Sequence, residues 1–256
     1  MKHLRYLLLL WICWAEICQG QNVTFDPNFD IYILMGQSNM AGRGKVTDAY
    51  KSVSNPRVLM LTKANEWVTA RHPVHFDKTV AGVGPGLSFG IEMAEASQGK
   101  RIGLIPCAVG GTSINKWVPG AFDSATNTHP WDDAEKRIRE GMKYGVIKGV
   151  IWHQGEGDSN PDSARVYLDK LEKLIARVRK EVGKKRLPFV AGELGRYKAN
   201  YAFINEVIVH LPQKVSRTAV VSSDGLVHNG DGTHFDSPSA DEFGKRYAKA
   251  MLQLVK

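Results

Sequence analysis

The sequence predicts an α/β domain, a three-layer α/β/α sandwich around a mostly parallel sheet. Three observations predict it. Short apolar runs that read as strands alternate with helical patterns along the chain. Those runs are apolar on both alternations, as strands covered on two faces are. The helical patterns carry start and stop residues. With 256 residues, 43% hydrophobic and 23% charged, the chain suits one α/β domain or two small ones, with a sizeable core and without disorder.

Residues 1–20 stand apart. Lys2 and Arg5 precede an apolar run, 6–13, and the segment ends Cys18-Gln19-Gly20. A basic start, an apolar stretch and a small residue before a cut read as a secretory signal peptide, so a secreted or periplasmic protein is expected. The competing reading is a membrane anchor, but Glu16 interrupts the run, which is short for a bilayer. No other segment suits a membrane span, and no stable membrane partner is expected. Residues 21–256 then form a single domain. Cys13 and Cys18 leave with the signal, so Cys107 has no internal disulfide partner and reads as a small buried hydrophobe in a strand.

Strands are expected at 31–35, 57–61, 102–108, 149–153, 188–193 and 218–222. A helix runs from Gly86 to about Ser97. Asn160-Pro161 opens another, a capping residue followed by proline at the first helical position. Tyr167, Leu168, Leu171, Leu174, Ile175, Val178 and Val182 mark its apolar face, and Gly183 ends it. Ser237-Pro238 opens the last, with Ala240, Phe243, Tyr247, Met251 and Leu254 inward.

The formal charge is +8, or +7 once Lys2, Arg5 and Glu16 are removed with the signal. The basic residues gather at 165–186 with helical spacing, which describes a solvated helix face. No interleaved aromatics and no recognisable module accompany them, so nucleic acid is excluded as a partner. Phosphate-loop and dinucleotide glycine patterns are absent. His153 with Glu156, and His72 with His75, are three apart but complete no three-ligand set, so neither a metal nor another cofactor is expected.

The chemistry-bearing residues fall at strand exits and in the last loop, which a parallel sheet brings to one rim. Ser38 follows the first strand within Gly36-Gln37-Ser38-Asn39-Met40. It reads as a nucleophile or as a helix N-cap. Asp231 and His234 lie three apart before the last helix. They read as a carboxylate orienting an imidazole base, or as turn residues around Gly232. Gly110-Gly111 follows a strand; a glycine N–H approaches a reacting carbonyl unobstructed, though a plain turn needs the same residue. Gln154 offers a side-chain amide or ordinary loop polarity. Glu156 has no triad slot and reads as a group that fixes its neighbours.

These blocks resemble the SGNH (GDSL-like) hydrolases, and within them carbohydrate esterase family 6 and the sialate O-acetylesterase-like group. The similarity rests on Gly36-Gln37-Ser38-Asn39-Met40-Ala41-Gly42-Arg43, Val83-Gly84-Pro85-Gly86, Gly110-Gly111-Thr112-Ser113, His153-Gln154-Gly155-Glu156 and Asp231-Gly232-Thr233-His234-Phe235. The resemblance implies a flavodoxin-like sandwich and an acetyl-ester hydrolase with Ser38 as nucleophile, His234 as base and Asp231 as its partner. It implies an oxyanion hole from the N–H groups of Ser38 and Gly111 and a side-chain amide, assigned to Gln154 where the wider superfamily has asparagine. Gln37, Asn39, Arg43, Gly110 and Glu156 become substrate-binding or supporting residues.

The substrate expected is acetylated carbohydrate, first of all plant polysaccharide such as xylan. A sialate O-acetylesterase is the rival; its acidic sugar needs a positioned cation, for which Arg43 or Arg196 is available. A catalytically silent carbohydrate-binding domain is the reading from another class. Trp117 and Trp131 near the proposed rim either stack on sugar or fill the core. Asn22-Val23-Thr24 is a glycosylation sequon. Oligomeric state is not written in these residues.

Overall fold

A computed structural model describes residues 24–256. The expected signal segment 1–20 and the Asn22 acceptor lie outside the described residues. Seven strands form one sheet. They are β1 (Phe29–Gly36), β2 (Val58–Leu61), β3 (Trp67–Thr69), β4 (Arg101–Pro106), β5 (Val146–His153), β6 (Phe189–Gly192) and β7 (Thr218–Val221), in the spatial order β3-β2-β4-β1-β5-β6-β7. Every pairing is parallel except β2 with β3. The helices are α1 (Ser38–Ala41), α2 (Asp48–Ser52), α3 (Pro85–Ala96), α4 (Pro130–Met142), α5 (Pro161–Val182), α6 (Ala202–Ile208), α7 (Leu211–Lys214) and α8 (Ser237–Val255).

β1 shows why its apolar run is continuous: all eight residues are buried, because the strand is central and covered on both faces. Phe29, Ile31, Ile33 and Met35 join one apolar cluster with Trp131 and Ile138 of α4 and Tyr167, Leu171 and Val178 of α5. Tyr32 and Leu34, on the other alternation, join a second with Leu87 and Phe89 of α3 and Phe243 and Tyr247 of α8. Burying side chains of this size stabilises the fold by about 1.5–3 kcal/mol each before entropy is charged.

The six expected strands form within a few residues of their expected bounds. α5 begins after Asn160, whose side chain accepts from the Ser163 N–H, and ends on Gly183 at φ 71°. The last helix is capped by Asp236 rather than Ser237: the Asp236 carboxylate accepts from the Ser239 N–H at 2.8 Å. β3 and α4 were not among the expected elements. β3 is a three-residue antiparallel edge, and α4 buries only five of its thirteen residues. Among the described residues, no helix is long and apolar enough to cross a membrane.

The topology fixes where the site lies. After β1 the chain moves to β2 and β3, returns to β4 on one flank of β1, then crosses to β5 on the other. Connections that diverge on either side of a strand leave a crevice at its carboxyl end. The loops that follow β1, β4 and β5 meet there.

Candidate active site

β1 ends on Gly36 at φ 131°, where a Cβ would collide with the His153 carbonyl of β5. Only glycine permits so close a passage. Gln37 then donates its N–H to that carbonyl at 2.8 Å and occupies the N-cap position of α1. Ser38 is therefore the first helical residue and not the cap, which leaves its hydroxyl free for other work. Its own N–H, and that of Gly111, meet no acceptor among the described residues.

Ser38 Oγ lies 2.9 Å from His234 Nε2, and His234 Nδ1 lies 2.6 Å from Asp231 Oδ2. The other carboxylate oxygen accepts the N–H groups of Thr233 and His234 at 2.7 and 2.8 Å. Burial pushes the Asp231 carboxyl up. The hydrogen bonds from His234, backbone and ring, and from Thr233 outweigh it and hold the group at about 2. An imidazole held by an ionised carboxylate presents its other nitrogen to the serine proton.

The loop carrying His234 is braced by residues of other elements. Asn39, next to the serine, accepts the Phe235 N–H at 3.0 Å and donates to the Thr233 carbonyl at 3.1 Å, gripping the chain on both sides of His234. Glu156 fixes that amide by accepting from Asn39 Nδ2 at 2.6 Å. Tyr197 donates its hydroxyl to the Thr233 carbonyl and Lys198 its ammonium to Thr233 Oγ1. Tyr197 and Lys198 were not expected from sequence; they follow β6, outside every block that drew notice. His153 lies beneath the site, fully buried, its pKa lowered by desolvation, with Nδ1 3.8 Å from Glu156 Oε1.

Gly110 touches the serine: a Cβ there would sit 3.4 Å from the Ser38 Cβ. Its N–H is not free, because it donates to Asp77 Oδ2 at 2.9 Å. Asp77, another residue the sequence did not flag, also pairs with Arg43 at 2.7 Å, both side chains being almost wholly buried. Arg43 thus holds the loop against the serine and is not available as a cation for an acidic sugar. Arg196 is more exposed but pairs with Glu193 at 2.8 Å. Gly111 is exposed at φ 91°, with the Lys78 ammonium 3.9 Å from where its Cβ would stand.

Gln154 requires a correction. Its amide is fully buried, and its two hydrogens are engaged by the Asp158 carboxylate at 2.6 Å and the Thr112 carbonyl at 3.0 Å, with Gln37 Oε1 also at 3.2 Å. Its oxygen accepts from the Tyr167 hydroxyl at 2.9 Å. No hydrogen is left for an oxyanion. The cause is Asp158, four residues on, whose charge takes the amide and which also accepts from Ser113 Oγ and the Ile114 N–H. This cluster ties the loop after β4 to the end of β5. Trp117 and Trp131 are likewise core residues, at 1% and 2% exposure, and offer no face to a sugar. The Cys107 thiol is buried and pushed up to about 12, which removes it from nucleophilic chemistry.

Gln154→Ala is accordingly expected to destabilise the fold by about 1.5–3 kcal/mol, since it strips a buried carboxylate of a hydrogen bond. Denaturant unfolding measures this. Unchanged stability with a hundredfold lower kcat would restore the oxyanion role.

Residues 28–253 match the family described as carbohydrate esterase, sialic acid-specific acetylesterase. A probable carbohydrate esterase of Arabidopsis thaliana is 31% identical over 247 residues, spanning 88% of this chain and 91% of its own. The X-ray structure of an Arabidopsis thaliana protein superposes with a TM-score of 0.79 at 30% identity, covering 89% of this chain and 99% of that one. The crystal structure of NanS shares the fold at a TM-score of 0.75 and 17% identity, covering 90% and 98%.

Proposed function

The chain belongs to the carbohydrate esterase family of sialic acid-specific acetylesterases, and on that premise we propose that it removes O-acetyl groups from carbohydrate through an acetyl-enzyme on Ser38. The observation that carries the mechanism is the line Ser38 Oγ, His234, Asp231, with both contacts under 3 Å. Ser38 Oγ attacks the ester carbonyl carbon while its proton passes to His234 Nε2. The carbonyl oxygen becomes an oxyanion facing the unpaired N–H groups of Ser38 and Gly111. Collapse breaks the bond to the sugar oxygen, which leaves with the proton from His234. A water molecule then gives a proton to His234 Nε2 and attacks the acetyl carbon; the bond to Ser38 Oγ breaks, Oγ takes the proton back from His234, and acetate leaves. With Gln154 and Asn39 engaged elsewhere, the side-chain donor left beside the serine in sequence is Gln37, whose amide nitrogen meets no acceptor among the described residues.

The natural substrate in this reading is neutral acetylated polysaccharide of the xylan type, met outside the cytoplasm after export through residues 1–20. The pairing of Arg43 and Arg196 with carboxylates supports a neutral sugar. A sialate ester is the second reading. One observation favours it: the Lys78 ammonium lies 3.9 Å from where a Cβ of Gly111 would stand, beside the proposed oxyanion hole. The three-layer, flavodoxin-like arrangement belongs to the same reading, supported by the two apolar clusters on opposite alternations of β1.

Acetate release from acetylated xylan, chitin-type sugars and O-acetyl sialic acids tests the substrate. Acetyl esters are expected to turn over at least tenfold faster than butyryl esters. Faster hydrolysis of octanoyl than acetyl esters would rule out an acetyl pocket, and no turnover of a chromogenic acetate would indicate a binding domain.

A further inference from the structure

The amino-terminal edge of the sheet, opposite the serine, carries a second concentration of unusual side chains. β5, β6 and β7 begin there, at Val146, Phe189 and Thr218. Between their ends lies a cavity of about 300 Å³ lined by Lys148, Lys184, Arg186 and Arg217, with Pro188 and Val255 as apolar wall. Four cations share a space suited to one small group. One carboxylate faces them: Asp30 of β1, 3.8 Å from Lys148 Nζ.

The cations are poorly satisfied. Lys184 donates one hydrogen to the Ile147 carbonyl. Neither Arg186 nor Arg217 has a hydrogen bond or ion pair from its guanidinium to any described residue. Arg217 Nε is buried and unpartnered. Arg217 also sits at φ 59°, a conformation that costs a residue with a Cβ about 1 kcal/mol or more, which glycine or asparagine would relieve. A fifth cation, Arg179 of α5, stands behind the cavity with its guanidinium given to the Leu187 and Ser216 carbonyls. Burial, and after it the neighbouring cations, lower the pKa of two residues here. Burial and then Lys148 depress Lys184, while burial and then Arg186 and Arg217 depress Arg179.

We propose that this cavity binds a sulfate or phosphate group. Two guanidinium forks without partners match the paired oxygens of a tetrahedral oxyanion, and flanking ammonium groups complete its neutralisation. The group is either a free anion or a substituent of an acidic glycan. The cavity is remote from Ser38, so occupancy does not compete with the ester.

Titration of the full chain with sodium sulfate, against sodium chloride at equal ionic strength, tests this by calorimetry and thermal shift. Sulfate is expected to bind one-to-one and raise Tm beyond chloride. Arg186→Gln and Arg217→Gln are each expected to weaken binding about tenfold, the loss of one charge-assisted contact. Arg165→Gln, on the exposed face of α5, leaves it unchanged, and all three variants keep esterase turnover. Arg186 is an exposed loop residue, so its variant decides the matter should Arg217→Gln fail to fold. A sulfated disaccharide binding more tightly than sulfate identifies a glycan substituent, and equal affinity identifies the free ion. Equal responses to sulfate and chloride in the wild type, or equal sulfate affinity in Arg186→Gln and the wild type, would overturn the proposal.

Discussion

Ser38→Ala is expected to lower kcat by a factor on the order of 10⁴ to 10⁶ while the thermal transition stays where it is. Both halves follow from the position of the side chain. The hydroxyl makes one hydrogen bond, to His234 Nε2, and α1 takes its cap from Gln37, so the helix loses nothing when the hydroxyl goes. Alanine retains the Cβ that packs against Gly110. What disappears is the atom that forms the acyl bond. Residual hydrolysis would come from the unpaired N–H groups and bound water alone. The check is turnover of a chromogenic acetate ester, with mass spectrometry of the quenched enzyme. An acetyl adduct should appear on the wild type and be absent from the variant. A variant that turns over within tenfold of the wild type would remove Ser38 from the mechanism.

The sheet was legible because its physics is local. A parallel strand buried on both faces is apolar over most of its length, and β1 reads so from Ile31 to Met35. Capping is local too, and Asn160 and Gly183 bound α5 as their chemistry requires. β3 was illegible because Trp67–Thr69 is a half-exposed edge with no periodicity to detect. In α4 only Trp131, Ala134 and Ile138 supply an apolar stripe, too sparse to separate from loop. The meeting of Ser38, Gly110, Asp231 and His234 followed from parallel topology, which gathers strand exits on one rim.

Gln154 was misread for a different reason. Residue type and strand exit placed an amide near the serine, but not which group would compete for it. Asp158 lies in the same short segment and is 2% exposed, so its charge had to be met from within. A buried carboxylate is a stronger claim on an amide than a transient oxyanion. Asp77 makes the same point for Arg43: the guanidinium looked free only while its partner, thirty-four residues on, was unknown. Asn39 was expected only as a substrate-binding or supporting residue; what it supports was out of reach, because its partners at 233 and 235 are close only in the folded chain.

Replacing His234 by alanine is expected to cost about as much as losing Ser38, and Asp231→Asn somewhat less, about 10⁴ in kcat. The asparagine argument is one of tautomers. Asp231 Oδ2 accepts from His234 Nδ1, which places the proton on Nδ1 and leaves Nε2 as the acceptor for Ser38. An asparagine would keep its oxygen toward the Thr233 and His234 N–H groups, where two hydrogen bonds hold it. Its N–H₂ would then face Nδ1 and drive the ring proton to Nε2, and a protonated Nε2 takes no proton from serine. The same substitution separates activity from stability by pH. The folded carboxyl is held at about 2, below the ordinary aspartate value of about 3.9. Its contribution to stability is therefore complete above about pH 4 and lost as pH falls through about 2. The acid unfolding curves of wild type and Asp231→Asn should accordingly converge in that window. Between pH 5 and 9 the carboxylate stays ionised, so no change of kcat/KM there belongs to its protonation. Rate profiles and acid unfolding of the two variants test the pair. An Asp231→Asn enzyme that keeps more than a tenth of wild-type kcat would mean that the carboxylate does not set the tautomer of His234.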